Sequence, residues 1–146
     1  MNKLLLILFA MLPFTLSAQF TVKAYRTTDD YKRKVVRIEI TNTSDSDLVI
    51  RNQTSVSDGS MLYFSPTKKM EDRGAFFSFL PDPFEKDFSK RRLIVIKKGE
   101  MKKADYPFNY IREYIPIDKK IYLLGHIEYY LNWNELKSKH IEIEVE

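Results

Sequence analysis

The chain has 146 residues, a formal net charge of +4 and no cysteine. Without thiols, thiol catalysis, thiolate metal sites and disulfide staples are all excluded. The positive charge is too small for the strong basic stripe of a nucleic-acid binder, so nucleic acid is not expected as a partner, although an exported basic chain still favours anionic glycan or an anionic envelope surface.

The first stretch, "MNKLLLILFAMLPFTLSAQF", joins Lys3 to an unbroken apolar run at 4–12, a breaking Pro13, and the small residues Ser17 and Ala18. That is the pattern of a secretory signal peptide. The run is too short for a membrane span, which needs about 20 apolar residues. Cleavage is expected after Ala18. Taking 18 residues from 146 leaves 128, one domain's worth and enough to bury a core unaided. The expected organisation is a cleaved signal at 1–18 and a single domain at 19–146. The localisation implied is periplasmic or extracellular.

Beyond the signal the hydrophobic period is two almost everywhere. Phe20, Val22 and Ala24 alternate with Thr21, Lys23 and Tyr25. Val36, Ile38 and Ile40 alternate with Arg37, Glu39 and Thr41. The turn-rich "NTSDSD" at 42–47 offers side chains that bond nearby backbone and stop a ladder. "LVIRN" and "MLYFS" read as short strands from Leu48 and Met61. "RLIVIKK" from Arg92 is apolar on both parities, which predicts a strand buried on two faces. After Gly99, "KADYPFNY" sets Ala104, Tyr106, Phe108 and Tyr110 on one face, with Pro107 marking an edge or bulge. The last strands are read at 121–133 and 140–146, and "NWNELKSK" between them holds one helical turn at most. About seven to eight short strands with turns between them predict an all-β chain, an immunoglobulin-like antiparallel β-sandwich.

The order "VVRIEITNTSDSDLVI", "LIVIKKGE", "IYLLGHIEYYLNW" and a closing "HIEIEVE" resembles small exported bacterial Ig-like domains. In those an N-T-S-like turn follows an early strand, a G-E turn lies mid-domain, and two long strands end the chain. The resemblance spans residues 20–146 apart from 66–91, and it overlaps with β-sandwich proteinase inhibitors and with Ig-like modules appended to exported enzymes. It implies the sandwich fold and brings no catalytic residues.

Both histidines of the chain, His126 and His140, lie on the last two strands. The odd positions from Ile121 to Trp133 are apolar, aromatic or glycine, so they are predicted to face the core, Trp133 included. His126 and Glu128 then face outward, with Gly125 as a possible bulge. On the final strand Ile141, Ile143 and Val145 point in, while His140, Glu142, Glu144 and Glu146 point out. Pairing inward with inward leaves two registers, with His126 opposite Glu146 or Glu144 and Glu128 opposite another glutamate. Like charges in that position need a cation from a neighbouring strand. A metal site of His126, Glu128 and either Glu142 or Glu144 is conceivable, but a solvated polar face is the preferred reading, and no cofactor is expected.

Catalytic motifs are missing. No G-x-S-x-G, H-E-x-x-H, P-loop or G-x-G-x-x-G occurs, and the acid-rich "DPFEKD" at 82–87 positions no carboxylate pair. The chain is therefore read as non-catalytic, with a small hydrolase ranked last.

One segment breaks the strand rhythm: "SPTKKMEDRGAFFSFLPDPFEKDFSKRR" at 65–92. It gathers Phe76, Phe77, Phe79, Phe84 and Phe88 among many basic residues, and "PDP" stiffens its middle. Long connections of this kind are often functional. These phenylalanines either complete the core or form an apolar patch rimmed by charge, the usual mark of a partner surface. Phe84, Phe88, Lys86, Lys90, Arg91 and Arg92 are the candidate partner-binding residues. The expected role is an exported Ig-like module binding a protein or an envelope polysaccharide through residues 66–92. A glycan-binding module and a β-sandwich protease inhibitor are the alternatives. Asn42-Thr43-Ser44 and Asn52-Gln53-Thr54 form glycosylation sequons that matter only in a eukaryotic host.

Overall fold

The structure is a computed structural model that describes residues 19–52, 59–74, 76–77 and 93–146, with the backbone alone for 76–77. The expected signal peptide at 1–18 and the candidates Phe84, Lys86, Phe88, Lys90, Arg91 and Arg92 lie outside the described residues.

The chain forms two antiparallel sheets packed face to face, the β-sandwich that the period of two requires. Strands β1 (Phe20–Thr28), β2 (Lys34–Asn42) and β7 (Met101–Pro107) make one sheet in the order β1-β2-β7. The other holds β3 (Leu48–Arg51), β4 (Met61–Ser65), the two-residue β5 (Phe76–Phe77), β6 (Leu93–Ile96), β8 (Tyr122–Leu131) and β9 (Leu136–Glu144). The inward alternation holds on β1 and β2, where Phe20, Ala24, Val36, Ile38 and Ile40 are buried. Across the gap they meet Leu48, Ile50, Leu62, Phe64, Leu123, Ile127 and Ile141 of the second sheet. Removing such side chains from water is the main stabilising term, about 1.5–3 kcal/mol for each large one.

Four local expectations are corrected. β6 is not buried on both faces; it ends the pairing order, and Val95 is 38 % exposed. β3 is the doubly covered strand, with Leu48, Val49 and Ile50 all buried, because it runs between β8 and β6. Phe108 and Tyr110 do not continue a strand but open helix α1 (Phe108–Tyr114). Pro107 cannot donate to a further ladder, and Ile111 and Ile115 then reach the core at helical spacing. Finally, 136–139 hold no helical turn; they begin β9, which pairs with β8 along its whole length.

β8 organises the second sheet. β9 runs along one of its edges, while β4 and β3 share the other end to end. Arg51 opposes Glu128 and Met61 opposes His126. Ten positions of one row thus face two of β8, so eight residues are extra. The next row repeats the break: Phe77 stands beside Leu62, and Leu93 beside Arg51. Fifteen residues cross a gap that two would fill. Both gaps in the pairing fall level with His126 and Ile127. Ser60 closes the base of the first. Its hydroxyl donates to the Arg51 carbonyl at 2.6 Å and accepts the Glu128 N–H at 2.8 Å.

Candidate functional site

The groups on the outer face of β8 and β9 follow from the register. His126 stands directly opposite His140, not opposite Glu144 or Glu146, and Glu128 stands opposite Ser138 rather than a glutamate. The parity was read correctly and the offset was not. The reason is the turn. The Asn134 N–H bonds the Leu131 carbonyl at 3.1 Å, and Asn132 and Trp133 both take positive φ. That tight, left-handed turn is the kind that joins twisted strands, and it begins β9 much earlier than the sequence suggests. Trp133, expected inward, is carried out to the hairpin tip and is 57 % exposed.

His126, His140, Leu124, Gly125, Glu142, Lys68 and Met70 line a shallow depression of about 310 Å³. Leu124, on the face expected to be polar, is nearly fully buried there. Gly125 has φ +139°, and a Cβ on it would lie 1.9 Å from the Met61 carbonyl oxygen. The expected close approach is thus that of β4 to β8. Each carboxylate on this face has its own cation. Glu128 pairs with Arg51 at 3.2 Å, Glu142 with Lys68 at 3.4 Å and Glu144 with Lys120 at 2.7 Å. Arg51 comes from the neighbouring strand, although with Ser138 opposite Glu128 no opposed like charges call for it. The Glu144 partnership holds the Lys120 ammonium above its usual pKa.

The three residues of the conceivable metal site do not converge. His126 Nε2 lies 3.8 Å from Glu128, but Glu144 opposes Tyr122, four positions along β9 from His140 and so about 13 Å further on. Among the described residues no group of three His, Asp or Glu is placed to hold a metal ion. Nor is either histidine hydrogen-bonded to a hydroxyl among them, the arrangement that nucleophilic catalysis needs. The face can offer imidazole, ammonium and carboxylate contacts to a docking surface. His140 was read as outward from the sequence but not as the partner of His126, and the signal for that pairing was the turn: Asn132 tolerates left-handed backbone. Both sequon asparagines, Asn42 and Asn52, are buried. No helix among the described residues is long and apolar enough to cross a membrane.

Compared with known families and curated proteins, the chain matches no family model and no curated protein.

Proposed function

We propose that residues 19–146 form an exported, non-catalytic Ig-like module that binds a protein or envelope component through the segment at 66–92. The observation that supports this reading is the shared origin of the two extra segments. The residues that flank them, Arg51 and Met61 in one row, Phe77 and Leu93 in the next, stand between the levels of Gly125 and Glu128, on either side of the His126–His140 pair. Pairing is thus interrupted in two neighbouring rows at one level of a rigid sheet, and insertions into such a scaffold are where binding residues concentrate. In this reading Phe84 and Phe88 bury apolar surface against the partner, while Lys86, Lys90, Arg91 and Arg92 steer the encounter.

The test is capture from an envelope extract on immobilised wild-type protein and on the Phe84→Ala/Phe88→Ala variant. Partners held by the first and released by the second are expected. If the variant retains all of them, the assignment of the segment fails. Export is checked by finding Gln19 as the mature N-terminus in the periplasmic or extracellular fraction.

Trp133 favours a second reading, a glycan-binding module. An exposed indole on a hairpin tip, near the half-exposed Tyr130 and the exposed Leu136, is a surface on which a sugar ring can stack. A glycan array on wild-type and Trp133→Ala protein separates the two readings.

A further inference from the structure

A second polar site lies on the other sheet, at the end where β1 and β2 meet α1. Arg26 has the parity of Phe20, Val22 and Ala24 but lies where the apolar positions of β1 run out, and it is exposed. Its guanidinium lies over the ring of Phe108, 5.4 Å from the centroid, and the Arg112 guanidinium lies over the same ring at 5.0 Å. Lys34 enters from β2, opposite Thr28. Arg26, Thr27, Thr28, Lys34, Val35 and Phe108 line a depression of about 390 Å³.

The charges here are not balanced. Among the described residues no carboxylate is within ion-pair distance of Arg26, Lys34 or Arg112. Asp29, on the same hairpin, is taken by Arg33 at 2.7 Å. Glu146 meets Arg26 only through the main chain, its carbonyl accepting the Arg26 N–H at 2.8 Å. Arg112 donates to the carbonyls of Pro116 and Lys119, and its buried Nε has no acceptor among the described residues. Burial, and after it the nearness of Arg26, lowers the pKa of Arg112; Asp118 opposes this at longer range. Two guanidiniums on one ring repel each other, and an aromatic face offsets that only in part. An anion between Arg26 and Lys34 would relieve it.

We propose that this depression binds a sulfate or phosphate group, with Arg26 and Lys34 as its cationic ligands, the Thr28 hydroxyl as a further donor, and Phe108 as the platform that orients Arg26. The planar fork of arginine and the point charge of lysine both suit a tetrahedral oxyanion. The group is free in solution or carried on a polysaccharide.

The test is NMR titration of the mature protein with inorganic sulfate, inorganic phosphate and a heparin-derived oligosaccharide at fixed ionic strength. Saturable shifts at Thr27, Thr28 and Lys34 are expected. Saturation by the inorganic ions identifies a free-ion site; saturation by the oligosaccharide alone identifies a polymer-borne group. Arg26→Gln/Lys34→Gln weakens binding at least about tenfold, as loss of charged hydrogen bonds does, whereas Lys97→Gln/Lys98→Gln, which removes the same charge elsewhere, leaves it within about twofold. Lys34→Glu alone, at an exposed strand end, gives a second reading of the same loss should Arg26 prove necessary for folding. Absence of saturable shifts with all three probes overturns the proposal, and so does equal weakening in the two double variants.

Discussion

The side-chain amide of Asn42 donates to the carbonyl of Ile96 at 2.8 Å, tying the end of a strand in one sheet to the end of a strand in the other. The same nitrogen donates to the Ser46 carbonyl at 2.8 Å, and its oxygen accepts from the Ser44 N–H and hydroxyl. The Asn42 main chain adds bonds to Gly99 and Glu100. One buried residue thus fastens two of the three places where the chain changes sheets, the β2–β3 and β6–β7 connections. Asn42→Ala strands two carbonyls, each costing about 1–3 kcal/mol. The expected loss in urea unfolding is therefore about 2–4 kcal/mol. A loss below about 1 kcal/mol would show that water replaces the amide.

Gly125→Ala tests the approach of β4 to β8. The Cβ would sit 1.9 Å from the Met61 carbonyl oxygen, at a φ of +139° that side chains rarely adopt. Strain of about 1–3 kcal/mol from the backbone adds to a clash that only main-chain movement can relieve. A clear fall in the unfolding midpoint is expected, together with amide shift changes at Met61 and Leu62. An unchanged midpoint would mean the two strands lie further apart than 1.9 Å implies.

The two-layer fold was legible because alternation on β1 and β2 leaves one choice of inward face. The facing of His126 and Glu128 was legible for the same reason. Their partners were not, since parity is blind to a slip by an even number of residues; the turn at Asn132 and Trp133 set that slip. Helix α1 escaped notice because seven residues after a proline give too short a window for a period of 3.6 to show. Nothing in the sequence singled out Arg26, because its company is remote. Phe108 and Arg112 reach it from a helix more than eighty residues away in the chain.

Acid should weaken the molecule partly through Asp105. Its carboxylate makes a two-pronged contact with Arg37 across β2 and β7, at 2.7 and 2.9 Å. The hydrogen bonds from Arg37 hold the carboxyl below its ordinary range. A folded pKa below the unfolded one, about 3.9 for Asp, makes this contribution complete above that value. It is lost as pH falls through the folded pKa. Asp105→Asn should cost about 1–2 kcal/mol at neutral pH, and the difference from wild type should shrink below about pH 4. Parallel pH–stability curves would mean the pair contributes nothing that titrates.

Trp133→Gly should stabilise the domain. Trp133 sits at φ +57°, beside Asn132 at +50°, and a left-handed residue with a side chain costs about 1–2 kcal/mol relative to its usual regions. Asn-Gly is the favoured pair for such a hairpin turn, so the variant keeps Asn132 and removes the strain at its neighbour. The indole is 57 % exposed, so little burial is forfeited to set against this. Glycine's greater freedom in the unfolded chain takes back part of the gain, leaving a net rise of about 0.5–1 kcal/mol in denaturant unfolding. A strained, exposed aromatic that lowers stability is what a contact residue looks like when binding is its reason for being there. The same variant should therefore be more stable and, on the glycan-binding reading, poorer at holding its sugar. If Trp133→Gly lowers stability instead, the indole is packing against the sheet in solution, and the glycan-binding reading loses its only exposed tryptophan.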